Sequence, residues 1–238
     1  MSTATEMFYV CAGSNIGVIN MYNRAVKEGI PCKLTMNLSR LPKNTHVEKQ
    51  KKSKKSDRER VVFATISSRY IYENRHKKFR TIIIDEGSQV QEALVWGLLR
   101  PEVHRIIIAG DPQQLNSIVS VEGERANYGR SIMERLISLN HPTEYLKTQR
   151  RMHSDIAFLP NKYFYENKLI TEFIPSNRIE PSLNNEKPFD VIYTTSLEER
   201  IGTSFANKGE AEKIFEIISL WEKEKKIGNA TCIIISPY

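Results

Sequence analysis

The sequence contains few cysteines and no long apolar run. Only three of the 238 residues are cysteines, Cys11, Cys32 and Cys232, and no two have Cys-x-x-Cys spacing. This excludes a disulfide framework and disfavours a zinc site, so we expect free thiols in an intracellular compartment, cytoplasmic or nuclear. No apolar run approaches the roughly 20 residues of a membrane-spanning helix. Residues 1–7 lack the basic and apolar parts of a secretory signal. The sequence therefore predicts no membrane partner.

Glycine is also sparse, and its placement excludes one phosphate-binding motif. None of the 11 glycines is followed by lysine, so the loop Gly-x-x-x-x-Gly-Lys-Ser/Thr does not occur in these residues. Backbone N–H groups of that loop cradle the phosphates of a nucleotide, and its lysine neutralises them. Nucleotide chemistry here would need a phosphate cradle from elsewhere.

Positive charge is concentrated in the first third of the chain. Residues 1–80 contain 17 Lys and Arg against 6 Asp and Glu, whereas the whole chain has a net charge of +7. This asymmetry favours a polyanionic partner such as nucleic acid. Residues 37–60 are basic and without apolar periodicity, which predicts a loop or small insertion. For the run at 51–55 alone, a solvated basic loop is the simpler interpretation.

Two adjacent carboxylates follow the most strand-like stretch of the chain. Residues 81–84, Thr-Ile-Ile-Ile, predict one buried strand because the run is β-branched and too short for a helix. Asp85 and Glu86 fall where that strand ends, and open α/β sheets bind ligands at the carboxyl ends of their strands. One such carboxylate can hold Mg²⁺ on phosphates while its neighbour activates water. The alternative is that both acids only open the next helix, whose first turn favours negative charge.

Polar residues also follow two other predicted strands. Ser14 and Asn15 come after a strand at 8–12, in a strand–turn–helix arrangement that presents N–H groups to a phosphate. Either residue could equally be only a helix N-cap. The sequence Gly-Asp-Pro-Gln-Gln-Leu at 110–115 leaves a strand at 105–109 as a tight turn. A glutamine there can contact a terminal phosphate or its attacking water.

Strands and helices alternate along the chain, which predicts an α/β fold with parallel sheets. Further strands are predicted near 32–35, 61–64, 144–146, 189–193 and 231–235, and helices at 16–27, 89–99, 131–139, from 153 to about 163, and after 207. The helix at 89–99 is apolar on nearly every side and is predicted to be deeply packed. Asn207 followed by Glu210 predicts the start of the last helix.

Five short motifs occur in one order and resemble those of a known family. Cys-Ala-Gly-Ser-Asn at 11–15, Asp-Glu-Gly-Ser-Gln at 85–89 and Gly-Asp-Pro-Gln-Gln-Leu at 110–115 are followed by Gln-Arg-Arg-Met-His at 149–153 and Tyr-Phe-Tyr-Glu-Asn-Lys-Leu at 163–169. They resemble Cys-Ala-Pro-Ser-Asn, Asp-Glu-Ala-x-Gln, Gly-Asp-x-x-Gln-Leu, Gln-Tyr-Arg-Met-His and Tyr-Phe-Tyr-Glu-Gly-Lys-Leu of superfamily 1 helicases. The resemblance is to the branch of the nonsense-mediated-decay helicase and the senataxin-like enzymes.

This resemblance implies a role for each matching residue. Asp85 would coordinate Mg²⁺, Glu86 would activate water and Gln114 would sense the γ-phosphate of ATP. Arg151 would stabilise the transition-state charge from a second domain, a contribution worth ~10³-fold or more in such enzymes. The remaining matches are Gln89 and Gln149, which would bind the nucleotide and couple its site to the nucleic-acid cleft, and Ser14, Asn15 and Thr65, which would touch the nucleic-acid backbone.

The resemblance also implies the domain organisation. Residues 1–143 would form a RecA-like domain lacking its phosphate-loop start, with a basic insertion at about 37–60, and residues 144–238 the first part of a second RecA-like domain. The family's phosphate loop and last motifs are missing, Gly13 replaces a proline, and Arg150 stands where the family has tyrosine.

Two functions from different classes follow. The first is a portion of an ATP-dependent helicase that uses Mg²⁺ and moves along single-stranded RNA or DNA, with the missing motifs lost or supplied by another chain. The second is a helicase remnant that binds nucleic acid or a partner without hydrolysing ATP. A Mg²⁺-dependent nuclease is a weaker interpretation, because Asp85 and Glu86 are the only adjacent carboxylates that directly follow a predicted strand.

Overall fold

The computed structural model describes residues 6–37, 41–49, 60–70, 77–172, 188–224 and 231–236. The chain divides into two units, residues 1–143 and residues 144–238. In the part of the chain that the structure describes, no helix is both long and apolar enough to cross a membrane.

Unit 1 is built on a five-stranded parallel sheet. Its strands are β1 (Phe8–Ala12), β2 (Cys32–Leu34), β3 (Val61–Thr65), β4 (Thr81–Asp85) and β5 (Arg105–Ile108), in the spatial order β2-β3-β1-β4-β5. Nearly continuous apolar runs are typical of parallel strands, because both faces of such a sheet are covered. The predicted α/β fold with a parallel sheet is confirmed.

Helices cover both faces of this sheet. The α-helices described in unit 1 are α1 (Asn15–Lys27), α2 (Glu92–Trp96), α3 (Val121–Arg125) and α4 (Ile132–Ser138), and α3 has no buried residue. Because side chains alternate along a strand, β1 contributes to two separate cores. Its Tyr9 and Cys11 belong to the core that includes Val95 and Ile132 from the α2 and α4 side. Its Val10 and Ala12 belong to the core completed by buried residues of α1, Val18, Tyr22 and Ala25.

The prediction of a deeply packed helix over 89–99 is wrong in length and in burial. The α-helix covers only Glu92–Trp96, and it follows a single 3₁₀ turn. Leu94 is 43% exposed and Trp96 is 52% exposed. The indole N–H of Trp96 donates to the carboxylate of Glu92 at 3.0 Å, which gives this side chain a polar partner near solvent. The apolar composition of the segment therefore overstated both its length and its burial.

Part of the predicted basic insertion is held against α1. Residues 41–49 form neither helix nor strand. The side chain of Asn23 donates to the carbonyl of His46 at 2.9 Å and accepts from the N–H of Glu48 at 2.8 Å, and Val47 packs on the core beneath. Residues 38–40 and 50–59, including the run at 51–55, lie outside the described residues.

Unit 2 contains short strands and two longer helices. Its elements are β6 (Thr148–Gln149), α5 (Ser154–Phe164), β7 (Ile170–Thr171), β8 (Glu199–Ile201), β9 (Ser204–Ala206) and α6 (Lys208–Lys223). Strands β6 and β7 are parallel, whereas β8 and β9 form an antiparallel hairpin that the sequence did not predict. The predicted cap of α6 is confirmed, since the side chain of Asn207 accepts from the N–H of Glu210 at 3.1 Å.

Three of the strands predicted in unit 2 do not form. Residues 144–146, 189–193 and 231–235 form no strand, and β6 begins only at Thr148. A strand needs a hydrogen-bonded neighbour as well as an apolar run, and Ile235 in the last of these segments is 88% exposed. Among the described residues of unit 2, these runs therefore lack the pairing that a strand requires.

Candidate functional site

The register of the sheet aligns the ends of its central strands. Ala12, the last residue of β1, pairs with Thr65 on β3 and with Asp85 on β4. Ile84 pairs with Ile108, the last residue of β5. The segments that follow these four strands therefore leave the sheet at one edge, which is where open α/β sheets bind ligands. Six of the predicted site residues of unit 1 lie at or directly after this edge, and Gln114 follows β5 in the next turn.

The two carboxylates occupy different backbone conformations. Asp85 ends β4 and is half-buried, whereas Glu86 is exposed. Glu86 has φ 52° and ψ 42°, in the left-handed region that residues other than glycine seldom adopt. Such conformations carry a cost and are concentrated at functional sites. The side-chain amide of Gln89 donates to the carboxylate of Glu86 at 3.4 Å. Glu86 and Gln89 are thus neighbours, although the hydrogen bond is long.

Two glycines allow the neighbouring loops to touch through their backbones. The N–H of Gly87 donates to the carbonyl of Ala109 at 2.8 Å. A Cβ added at Gly87 would lie 2.3 Å from Cγ2 of Ile108. A Cβ added at Gly110 would lie 2.8 Å from the backbone nitrogen of Gly87 and 2.9 Å from that of Ser88. The family motif has alanine where this chain has Gly87, and the contact with Ile108 explains why glycine is needed here.

Asp111 organises the turn that presents Gln114. Its Oδ2 accepts from the side-chain amide of Gln114 at 2.8 Å, and its Oδ1 accepts from the N–H of Gln113 at 3.0 Å. Gln114 is exposed, so Asp111 is the group that orients it. Asp111 is not among the site residues predicted from the sequence. An aspartate that opens a Gly-Asp-Pro turn and bonds the backbone two residues later is the signal that could have indicated one.

Ser14 caps the N-terminus of α1, which was one of the two roles predicted for it. Its hydroxyl oxygen accepts from the N–H of Gly17 at 3.1 Å, and Asn15 is the first residue of α1. A serine hydroxyl has one donor and two acceptor positions, so a cap leaves its O–H able to donate to another group. Capping and contact with a phosphate oxygen are therefore compatible at Ser14.

Thr65 lies in a small cluster of hydroxyl groups. Its Oγ1 lies 2.7 Å from Oγ of Ser68 and 3.3 Å from Oγ of Ser67, which is exposed. Its carbonyl accepts from the hydroxyl of Tyr9 at 2.8 Å. Burial, with a smaller contribution from Cys11, raises the pKa of Tyr9 far above its usual value, so this hydroxyl stays protonated and remains a donor. Burial also raises the pKa of the Cys11 thiol to about 12, which leaves it unreactive at neutral pH.

The remaining predicted site residues belong to unit 2. Arg151 is exposed in the loop between β6 and α5, and Gln149 ends β6. The guanidinium of Arg150 lies 2.7 Å from the carboxylate of Glu172, so this arginine has an ion-pair partner within its own unit. The structure thus places Asp85, Glu86, Gln89, Gln114, Ser14, Asn15 and Thr65 in unit 1, and Gln149 and Arg151 in unit 2.

The donor groups at the edge of the sheet fit a magnesium–nucleotide complex better than a metal bound by protein alone. The described residues contain no group of three or more His, Cys, Asp or Glu side chains arranged to hold a metal. Magnesium, however, is commonly held by one or two carboxylates together with phosphate oxygens and water. Asp85 and Glu86 at the strand end supply oxygen ligands of that kind.

Comparison with family models gives two matches. One AAA domain model matches residues 36–122, and a second AAA domain model matches residues 128–238. The two matches are consecutive and together include the Asp-Glu, Gly-Asp and Gln-Arg-Arg-Met-His motifs.

The chain is similar in sequence to several helicases. It is 33% identical over 180 residues to an uncharacterized ATP-dependent helicase of Methanocaldococcus jannaschii, which covers 68% of this chain and 26% of that protein. It is 30% identical over 179 residues to the probable helicase senataxin of Mus musculus, and this match covers 67% of this chain and 7% of that protein. It is 33% identical over 172 residues to regulator of nonsense transcripts 1 of Dictyostelium discoideum, and this match covers 68% of this chain and 12% of that protein. The chain thus spans about a quarter or less of the length of these relatives.

Proposed function

The chain belongs to the superfamily 1 helicases, in the branch of senataxin and the regulators of nonsense transcripts, and we propose that it forms part of an ATP-driven motor. In this proposal the motor hydrolyses ATP with Mg²⁺ and moves along single-stranded RNA or DNA. Unit 1 is most of the first RecA-like domain, and unit 2 is the beginning of the second. The phosphate loop is not among these 238 residues, so the phosphate cradle would come from residues outside them or from a partner chain.

The main support for this proposal is the contact between two loops at the edge of the sheet. The loop that bears Asp85 and Glu86 is hydrogen-bonded to the loop that leads to Gln114, through the N–H of Gly87 and the carbonyl of Ala109 at 2.8 Å. A helicase remnant without ATPase function has no need for this combination of residues. A left-handed Glu86 and an Asp111-oriented Gln114 fit the needs of hydrolysis.

The carboxylates have separate tasks in this mechanism. Magnesium, when bound, neutralises phosphate charge, and Asp85 is the carboxylate that would hold it. Glu86 is exposed and can accept a proton from the attacking water while it holds that water in line with the γ-phosphate. Gln114 would contact the γ-phosphate, and Gln89, within reach of Glu86, would link this site to the nucleic-acid cleft.

The remaining groups act on transition-state charge and on the nucleic acid. Arg151 would supply positive charge to the transferring phosphoryl group. Ser14, Asn15 and Thr65 would bind the phosphate backbone of a single strand, with hydroxyl and amide donors suited to contacts that do not depend on base sequence.

Replacing Glu86 in the full-length protein tests this function. We expect Glu86→Gln to lower ATP turnover by about 100-fold or more, because general-base catalysis typically contributes 10²–10⁴-fold. The KM for ATP should change little, since the amide keeps the size of the side chain. The measurement is steady-state ATP hydrolysis with saturating single-stranded RNA, and separately DNA.

Glu122→Gln is the matched control, because Glu122 is an exposed acid on α3 and is not among the predicted site residues. It should leave turnover unchanged. Equal turnover of the wild type and Glu86→Gln would contradict the proposed role of Glu86. A full-length protein that binds single strands without hydrolysing ATP would instead support the remnant.

A further inference from the structure

The side chain of Gln149 has used all of its hydrogen-bonding groups within unit 2. Its Oε1 accepts from the backbone N–H groups of Arg151 at 3.1 Å and Met152 at 2.9 Å. Its Nε2 donates to the carbonyl of Met152 at 2.9 Å and to Oγ1 of Thr171 at 2.8 Å. A glutamine amide has two donor positions and two acceptor positions, so these four bonds fill them.

The orientation of this amide is fixed by its neighbours. Two N–H donors face one end of the side chain, and a carbonyl faces the other. The opposite orientation would place the NH₂ group against two other donors and the oxygen against a carbonyl, which would break three of the four bonds. The hydrogen-bond network therefore assigns the oxygen and nitrogen without ambiguity.

These bonds join the loop before α5 to strand β7. Gln149 and Thr171 are register partners in the parallel pair of β6 and β7. One end of the amide is attached to that strand, and the other holds the backbone on both sides of the Arg151 Cα–C bond. The sequence could not indicate this, because Thr171 lies 22 residues after Gln149.

We propose that Gln149 and Thr171 form a clamp that positions Arg151, and that Gln149 is a positioning residue rather than a nucleotide ligand. The proposal rests on the proposed function, in which Arg151 acts on transition-state charge. A displacement of about 1 Å at such a group can cost about 100-fold in rate. The clamp restricts the backbone from which Arg151 extends, and so restricts where its guanidinium can lie.

The kinetic test is a double-mutant cycle in the full-length protein. We expect Gln149→Ala to lower kcat for ATP hydrolysis by about 10-fold or more, with a change in the KM for ATP below about 2-fold, because positioning matters most in the transition state. Thr171→Val, which removes one of the four bonds, should have a smaller effect in the same direction. The double variant Gln149→Ala/Arg151→Ala should be no slower than Arg151→Ala, because Gln149 acts only through Arg151.

Asn161→Ala is a matched control from the same unit. The amide of Asn161 also joins α5 to a later segment, since it donates to the carbonyl of Leu169 at 3.1 Å and accepts from the N–H of Leu169 at 2.9 Å. It makes no bond to the Arg151 loop among those of the described residues. We expect it to lower thermal stability about as much as Gln149→Ala while leaving kcat unchanged. Effects on kcat that multiply in the double variant, or a large rise in KM with Gln149→Ala, would overturn the proposal.

Trypsin digestion tests the clamp without using ATP. The enzyme cleaves after Arg150 and Arg151, so loss of the clamp should raise the initial cleavage rate at these two bonds about 5-fold or more in Gln149→Ala, and not in Asn161→Ala. If Arg151→Ala leaves kcat unaltered, the assigned role of Arg151 fails, and cleavage still decides whether the clamp exists. Unchanged cleavage in Gln149→Ala would overturn it.

Discussion

Gly87 illustrates how single residues set the geometry of the candidate site. Its missing Cβ lets the Asp-Glu loop lie against the end of β5, where Ile108 would otherwise be 2.3 Å away. Gly110 meets the same loop from the other side, within 2.9 Å of two backbone nitrogens. At Gly87 the backbone meets a side chain, and at Gly110 the backbone meets the backbone of the other loop. The two loops therefore lie closer than packing between side chains would allow.

A substitution at Gly87 should destabilise unit 1 through Ile108. We expect Gly87→Ala to lower the free energy of unfolding by about 1–3 kcal/mol, the usual cost of overpacking. In Gly87→Ala/Ile108→Ala, part of that cost should disappear, because the contacting Cγ2 is gone. Urea denaturation of the wild type, both single variants and the double variant measures this coupling. Strictly additive free energies would show that the contact with Ile108 is not the cause.

At the scale of secondary-structure elements, Glu92 joins α2 to the segment before α4 and to α4 itself. Its carboxylate lies 3.2 Å from the guanidinium of Arg130 and 2.7 Å from that of Arg135. Its N–H donates to the carbonyl of Arg130 at 3.0 Å. Burial alone would raise the pKa of Glu92, but the hydrogen bond from Trp96 and the two arginines outweigh burial, so the pKa lies below its usual value.

This network predicts a pH-dependent contribution to stability. The folded-state pKa of Glu92 is lowered from its ordinary value of 4.5, so the stabilisation is complete above that ordinary, unfolded value. It is lost as the pH falls through the lower, folded-state pKa. We expect Glu92→Gln to reduce the free energy of unfolding by about 1–2 kcal/mol at pH 7, since a hydrogen bond to a charged group contributes about 1.5–3 kcal/mol and one between neutral groups about 0.5–1.5 kcal/mol. The difference from the wild type should shrink below about pH 4.

Denaturant titrations at several pH values measure this effect. Glu144→Gln, a change at an exposed acid outside the network, is the control and should show neither the loss nor the pH dependence. A deficit of Glu92→Gln that stays constant from pH 7 to pH 3 would contradict the assignment.

At the scale of the whole molecule, positive charge is the main feature that the described structure does not explain. Residues 1–80 have a net charge of +11, while the remaining residues have a net charge of −4. A polyanion that binds near the first third of the chain would release counterions, and its affinity would fall with salt.

The four lysines at 51–55 should contribute to this salt dependence. We expect their replacement by alanine in the full-length protein to weaken binding of single-stranded RNA and DNA. The slope of log K against log salt should also become shallower by up to about 3, given a slope near 0.7 per phosphate contact on single strands. Fluorescence anisotropy between 50 and 200 mM salt measures both quantities. Replacement of Lys208, Lys213 and Lys223 on α6 by alanine is the control, and an equal change per lysine there would show that the effect is one of net charge alone.

The sequence by itself determined the family, the fold class and the central strands of unit 1. Near-continuous β-branched runs predict buried parallel strands, and the motifs at their ends are local in sequence, so their order is visible without a structure. The apolar runs near 144, 189 and 231 carry the same local signal, yet they are not strands, because pairing depends on neighbours that a local pattern cannot specify.

Only the tertiary structure decided which groups meet. The sheet register aligned Thr65, Ala12 and Asp85, and close packing made Gly87 necessary beside Ile108. It also assigned the amide of Gln149 to Thr171 rather than leaving it available to a ligand. These relations join residues from 20 to more than 50 positions apart, and they depend on strand pairing and side-chain packing rather than on any local pattern.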